Sequence, residues 1–174
     1  MDISGFFMIN IDEPVHIESY NDQWPKIFSQ EKLRIKQALS QQYLEFEHIG
    51  STAVPGLSAK PIIDIMVGVR NYPPSNELIQ QICALGYSCH GEANVPGRLY
   101  FTRRDQCNFN LAVVLFEQEH WIKNIKFRDF LRQDPSACSA YERIKSDAIN
   151  SGATTLLAYS EFKRAFIADI LKLL

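Results

Sequence analysis

A single carboxylate inside an apolar run constrains this chain more strongly than any other feature of its sequence. Residues 62–67 read Ile-Ile-Asp-Ile-Met-Val directly after Pro61, and a short β-branched run of this kind is typical of a buried strand. An aspartate buried without a partner would destabilise the fold by several kilocalories per mole. Asp64 therefore needs a compensating group, and the candidates are Lys60, Arg98, a backbone N–H group or a bound metal ion.

A Gly-Ser pair follows the preceding strand candidate and suggests a role for Asp64. Residues 43–49 alternate apolar and acidic side chains, which predicts a half-buried strand that ends at Gly50-Ser51. A serine here is a common helix N-cap, but a Gly-Ser turn also presents backbone N–H groups and a hydroxyl that suit a phosphate group. If the two strands are neighbours, the Asp64 carboxylate can face this turn and hold a divalent metal ion that bridges to phosphate oxygens.

The pattern of the chain changes near residue 119. Helices and strands are mixed before this point, without a G-x-G-x-x-G motif, and only helices are predicted after it. We therefore predict an α/β core at residues 1–118 with a mostly antiparallel or mixed sheet, and a helical segment at residues 119–174 packed on it. The predicted strands are 15–18, 43–49, 62–69, 87–90, 99–104 and 109–116. The predicted helices are 24–41, 76–85, 121–132, 135–149 and 156–174.

The composition argues against several functional classes. The 174 residues include 46% hydrophobic and 22% charged side chains, which is ordinary for one folded domain. A net charge of −2 argues against broad binding of duplex nucleic acid or of an anionic membrane, although a local basic cluster could still bind phosphate. Four cysteines without a C-x-x-C pair, no basic signal segment and no apolar run of transmembrane length predict a cytoplasmic protein with free thiols. The sequence leaves the oligomeric state open.

The stretch around the Gly-Ser pair resembles a known family. The segment His48–Leu57, followed by Ala59-Lys60-Pro61 and Ile63-Asp64-Ile65, closely resembles the GrpB family, also called UPF0157, of the nucleotidyltransferase-like superfamily. The resemblance covers nearly the whole chain from Val15, and its further matches are Trp24, Pro96-Gly97-Arg98, Tyr100-Phe101, residues 127–132, Tyr159 and Lys163. It implies a nucleotidyltransferase-like mixed sheet with flanking helices and a C-terminal helical bundle.

The resemblance also implies a site and a ligand. In nucleotidyltransferases the corresponding turn and aspartate face the phosphates of a nucleoside triphosphate. The expected ligand here is therefore a nucleoside triphosphate or another phosphorylated small molecule, with Gly50, Ser51 and Thr52 at its phosphates. Mg²⁺ or Mn²⁺ would be held by Asp64, which the resemblance makes the first metal ligand and a catalytic residue.

Three further side chains are candidates for the same site. Lys60 and Arg98 offer cationic donors for a phosphate, and an arginine can bind it through two N–H groups. Either residue could instead form an ion pair with Asp64 or Glu92. His48 directly precedes the Gly-Ser turn and is a candidate catalytic base, a phosphate donor or a structural histidine at the strand end.

The chain departs from the catalytic pattern of active nucleotidyltransferases, in which two or three carboxylates hold two metal ions. Met66 occupies the second carboxylate position, and the later strand has Asn110 and Ala112 where further polar residues are often found. Three hypotheses remain: a nucleotidyl-transferring enzyme, a catalytically degenerate nucleotide-binding or regulatory module, and a different, metal-free reaction on the same scaffold. Met66 and Ala112 favour the second hypothesis.

The residues singled out in the predicted C-terminal helices are interpreted mainly as structural. Arg128 and Asp129 form either a pair on the helix surface or a brace between this segment and the core, and we favour the brace. Aromatic side chains at helical spacing are assigned to the core, and they are Trp121, Phe127, Phe130, Tyr141, Phe162 and Phe166.

Overall fold

The computed structural model describes residues 12–39, 43 and 45–174, and its elements confirm the predicted mixed α/β fold. A short 3₁₀ turn, Ser51–Ala53, follows the first strand. The strands are β1 (Glu45–Ile49), β2 (Ile62–Val69), β3 (Ser88–Cys89), β4 (Arg98–Arg104) and β5 (Asn108–Leu115). The helices are α1 (Trp24–Ala38), α2 (Asn76–Ala84), α3 (Glu119–Gln133), α4 (Pro135–Asn150) and α5 (Leu156–Leu173).

The five strands form one sheet in the order β1-β2-β5-β4-β3. The central pair, β2 and β5, is parallel, whereas every other neighbouring pair is antiparallel. The parallel pairing requires a crossover, and α2, β3 and β4 lie between these two strands in the chain. The sheet is therefore mixed, with β2, the strand that carries Asp64, in its interior.

Successive side chains of each strand point to opposite faces of the sheet. One face packs against α1 and α2 in a large apolar cluster that includes Ile63, Ile65, Val67, Leu111 and Val113. On the other face, Ile49, Met66 and Val114 pack against Trp121 of α3. Asp64 shares this second face with Met66, since the two residues are two positions apart on β2.

The C-terminal helices are tied to the core by polar contacts as well as by packing. Arg128 of α3 donates hydrogen bonds to the Glu47 carboxylate and to the His48 carbonyl, and it also pairs with Asp129. Arg132 donates to the Ala53 carbonyl at 2.7 and 2.9 Å. Arg128 is buried, so these contacts confirm that it braces the helical segment against the core.

Some local details differ from the predicted pattern. The residues around the predicted strand 15–18 form only isolated bridges, Pro14 to Thr155 and Glu18 to Ala59. Phe162, assigned to the core by its spacing, is 48% exposed because α5 is the last helix and packs on one side only. The predicted end of α1 near residue 41 lies outside the described residues. None of the helices in the described part of the chain combines the length and the apolar character that a membrane span requires.

Candidate functional site

Asp64 lies directly against the Gly50-Ser51 turn. The last residue of β1, Ile49, is paired with Asp64 across the antiparallel ladder, as the spacing predicts. Gly50 has φ +70° and ψ −172°, a conformation that essentially only glycine adopts. A Cβ atom at Gly50 would overlap the Asp64 carboxylate and stand 3.0 Å from its Cγ. The glycine therefore permits both the sharp turn and the close approach of the aspartate.

A chain of charged and amide groups holds Asp64 in place. Asn110 of β5 donates from Nδ2 to Asp64 Oδ1 at 2.7 Å, and its own Oδ1 accepts from Arg104 Nη2 at 2.8 Å. Arg104 in turn pairs with Glu13 at 2.6 Å. Because an ionised carboxylate only accepts hydrogen bonds and a guanidinium only donates them, this arrangement fixes the orientation of the Asn110 amide. The predicted partners Lys60 and Arg98 therefore do not take this role.

A cavity of about 420 Å³ opens beside Asp64 and the turn. Its walls come from the second face of the sheet and from helices α3, α4 and α5. The predicted site residues Gly50, Ser51, Thr52, Lys60, Asp64 and Arg98 all line it. Its volume falls within the range of about 300–1,000 Å³ that is typical of sites for small molecules.

Lys60 and Arg98 contribute positive charge to this cavity and form no ion pair with a carboxylate of the described residues. The Arg98 guanidinium packs on the Tyr100 ring at 4.7 Å, and its buried Nε donates to no acceptor in the same part of the chain. Glu92, a predicted alternative partner, instead accepts from the Tyr72 hydroxyl. Burial lowers the pKa of Lys60 and the pKa of Arg98, while Asp64 opposes both shifts.

The last two helices add functional candidates that the sequence interpretation did not place in the site. Lys163 of α5 lines the cavity, with its Nζ 4.3 Å from the centroid of the Tyr159 ring. The Tyr141 ring, assigned only to the core, also lines the cavity together with Ser51. The family resemblance includes Tyr159 and Lys163, but nothing in a helical pattern shows that this helix covers the sheet at Asp64.

His48 lies on the opposite face of the sheet from Asp64. Because Ile49 stands opposite Asp64, the preceding residue points to the other side, where its ring stacks on Phe28 at 4.8 Å. Its Nε2 bonds with Thr52 Oγ1 at 3.0 Å, and burial lowers the pKa of His48 to about 4. The assignment of His48 to the site as a catalytic base is therefore corrected. Its side chain does not face the cavity.

Thr52 is a structural neighbour of the cavity and offers it no free hydroxyl. Its side chain is buried, and Oγ1 bonds with both His48 Nε2 and the Ile62 carbonyl. This pair of contacts ties the 3₁₀ turn to the start of β2. The Thr52 side chain therefore positions Gly50-Ser51, and its hydroxyl is not free to reach a ligand in the cavity.

The protein side chains do not fit a site for two divalent ions. Among the described residues, no three His, Cys, Asp or Glu side chains are grouped as a metal would require. Asn110 turns its amide nitrogen toward Asp64, so its oxygen is not available there. Met66 is fully buried beneath Trp121, which removes the second carboxylate position from the cavity. Asp64 is left as the one charged oxygen ligand of the expected set for Mg²⁺ or Mn²⁺.

Fold and site together define a class of protein: a mixed five-stranded sheet that carries a cationic cavity beneath a C-terminal helical layer. A profile of the family described as GrpB protein matches residues 14–173, and the chain belongs to the GrpB family.

Individual relatives align with this chain over most of its length. It is 28% identical to the glutamate-rich protein GrpB of Alkalihalophilus pseudofirmus, over 90% of this chain and 94% of that protein. It is 31% identical to the UPF0157 protein YqkA of Bacillus subtilis over 88% of this chain, but it spans only 45% of that longer protein. The crystal structure of conserved protein GrpB from Enterococcus faecalis superposes with a TM-score of 0.81 at 31% identity, and the match covers 90% of this chain and 95% of that one.

Proposed function

We propose that this protein binds a phosphorylated small molecule, such as a nucleotide, in the cavity beside Asp64. The observation that carries the proposal is the convergence of Lys60, Arg98 and Lys163 on one partly enclosed cavity. Asp64 is the one carboxylate among the described residues that line it, so this lining has an excess of positive charge. Cations that are partly removed from water without ion-pair partners are unfavourable, and an anionic ligand would compensate them.

The cavity also offers groups suited to the rest of such a ligand. The Gly50-Ser51 turn presents a hydroxyl and backbone N–H groups, which are common phosphate ligands. Tyr100, Phe127 and Tyr159 contribute aromatic surface to the walls, and a flat ring of the ligand can pack against such surface. A phosphate at the cations and a ring on the aromatic wall would together fill a cavity of this size.

A second candidate function is nucleotidyl transfer with Mg²⁺ or Mn²⁺. The close contact between Asp64 and the Gly50-Ser51 turn favours it, because this is the arrangement that the nucleotidyltransferase-like resemblance implies. Two observations argue against nucleotidyl transfer. Met66 is buried, and Asn110 turns its amide nitrogen, not its oxygen, toward Asp64. Binding without transfer is therefore the function that we propose, and the enzyme is the alternative.

Replacing Arg98 with glutamine should weaken binding of inorganic pyrophosphate or ATP about tenfold or more. A hydrogen bond to a charged group contributes roughly 1.5–3 kcal/mol, and the glutamine retains much of the side-chain volume without the charge. Calorimetric titration at constant salt measures the change. The matched control is Arg164→Gln on α5, because Arg164 is 77% exposed and pairs with Glu161 on the surface. Equal affinity of both variants and the wild type would remove Arg98 from the site and contradict the proposal.

Replacing Asp64 with asparagine separates the two candidate functions by the sign of its effect. If the cations bind the phosphate directly, removing the one negative charge should strengthen pyrophosphate binding several-fold, because the repulsion is lost. If a divalent ion on Asp64 bridges to the phosphate, the same change should weaken pyrophosphate binding in Mg²⁺. The variant should then bind pyrophosphate equally well in Mg²⁺ and in EDTA. We expect the first result, with similar affinities in Mg²⁺ and in EDTA. Release of pyrophosphate from ATP by the wild type would instead favour the enzyme.

A further inference from the structure

Lys163 differs from the other cations of the cavity in its surroundings. It enters from α5, and its Nζ lies 4.3 Å from the centroid of the Tyr159 ring. Lys60 approaches the same ring, with its Nζ at 5.9 Å from the centroid. Among the described residues Lys163 makes no ion pair with a carboxylate. Its amine therefore faces the cavity with an aromatic ring on one side and another cation nearby.

The charged groups around Lys163 favour its neutral form. Lys60 lies before β2, Lys145 is on α4, and Asp64 on β2 is the acidic group that opposes them. Burial is the largest cause and Lys60 the next, and together with Lys145 they lower the pKa of Lys163 to about 7. A desolvated lysine that lies beside a second cation is a setting in which the amine becomes nucleophilic, and Lys163 and Lys60 approach the same Tyr159 ring at this cavity.

The neighbouring lysines do not share this combination of access and neutrality. Burial lowers the pKa of Lys60 as well, but both Asp64 and Glu13 oppose this shift. Lys145 is only 1% exposed, and its Nζ donates to the Ser58 carbonyl. Lys145 is also absent from the cavity lining, whereas Lys163 is part of it. The lining thus offers two kinds of group: Lys60 and Arg98 lie where Asp64 favours their charged forms, and Lys163 provides an accessible amine.

We propose that the ligand of this cavity is a phosphorylated aldehyde or ketone, and that Lys163 forms a reversible imine with its carbonyl carbon. The phosphate part of this inference rests on the proposed function. The lone pair of Nζ forms the new C–N bond while the carbonyl π electrons move to oxygen, which is protonated to give a carbinolamine. The carbonyl oxygen then leaves as water with the two hydrogens of the amine, and the C=N bond forms. No oxidant, reductant or metal ion is needed for this step.

Pyridoxal 5′-phosphate, used here as a probe, tests the inference because it carries both an aldehyde and a phosphate. The full chain is incubated with the probe below one equivalent, reduced with sodium borohydride, and analysed by peptide mass mapping. We expect label predominantly on Lys163, in several-fold larger amount at pH 8 than at pH 6, and suppressed by inorganic pyrophosphate. Lys163→Arg should lose this label, whereas Lys172→Arg should retain it, because Lys172 is 75% exposed and lies far along the same helix.

A parallel reaction with pyridoxal, which lacks the phosphate, distinguishes the two parts of the inference. At least tenfold weaker labelling of Lys163 by pyridoxal would support both the imine and the phosphate site. Equal labelling of Lys163 by the two probes would leave its carbonyl reactivity in place and contradict the phosphate site. Binding of the phosphorylated probe, detected by calorimetry, without label on Lys163 would overturn the imine and leave the proposed function intact. A label that is distributed over the exposed lysines, as it is in the denatured chain, would also overturn the imine at Lys163.

Discussion

The Met66→Asp variant is expected to lose at least about 4 kcal/mol of its free energy of unfolding, the largest effect predicted for this protein. Met66 is fully buried in a cluster with Ile49, Val114 and Trp121, so the new carboxylate would have no polar partner in that cluster. The buried acid would stay protonated to a higher pH than in the unfolded chain. The loss of stability should therefore grow as the pH rises from 5 to 8, and urea unfolding at both values measures it.

Met66→Leu is the matched control for this variant. It conserves the volume and the apolar character of the side chain, so it should cost less than about 1.5 kcal/mol at either pH. If Met66→Asp is as stable as Met66→Leu, the position must open toward Asp64. In that case a second carboxylate could be restored beside the first, and the interpretation of the site as unsuited to two metal ions would be wrong.

The Gly50→Ala variant is expected to lose about 3 kcal/mol of stability together with pyrophosphate binding. The backbone at Gly50 has φ +70° in a region that is nearly restricted to glycine, and such strain costs roughly 1–3 kcal/mol for other residues. The added Cβ would also clash with the Asp64 carboxylate and push the Gly50-Ser51 turn out of place, so the hydroxyl and N–H groups of the turn would no longer face a phosphate in the cavity. Chemical denaturation and calorimetric titration of the same preparation would measure the two losses.

Gly56 provides a control for the backbone strain alone. It has φ +79°, and no atom lies within 4 Å of the Cβ that an alanine would add there. Gly56→Ala should therefore cost only about 1–2 kcal/mol and leave pyrophosphate affinity unchanged. In an Asp64→Ala background, Gly50→Ala should cost less than in the wild type, because the carboxylate is no longer in the way. Equal costs in both backgrounds would show that the close contact with Asp64 contributes nothing.

These stability tests bear on the choice between binding and catalysis. A metal-dependent transferase needs several oxygen ligands at the reacting phosphate. Of such ligands, the described residues that line the cavity offer the Asp64 carboxylate, which accepts a hydrogen bond from Asn110 and has cations around it. Direct binding of an anion by Lys60 and Arg98 would meet the electrostatic demand without a metal ion. The proposed imine at Lys163 would make the cavity reactive without a second carboxylate.

The sequence by itself predicts most elements and the neighbourhood of Asp64. The apolar run 62–69 becomes β2 with those bounds, because a short apolar segment that is rich in isoleucine and valine and follows a proline favours a strand. The short connection from Ile49 to Ile62 brings consecutive strands together, so the Gly-Ser turn meets the aspartate. The sequence also shows Met66 and Asn110 at positions where a two-metal enzyme would be expected to have metal ligands. These two residues already weaken the case for such an enzyme.

Only the tertiary structure decides which side chains share the cavity. His48 and Asp64 are separated because Ile49 pairs with Asp64, and a slip of one residue in β1 would have reversed this outcome. Lys163 joins the site because α5 packs on α3 and α4 and lines the cavity opposite Asp64, almost 100 residues after Asp64 in the chain. Local patterns define the faces of each strand and helix, but the strand register and the placement of one element on another depend on long-range packing. That is the physical reason why the sequence determines the strand with its carboxylate, whereas the fold determines the cations around it.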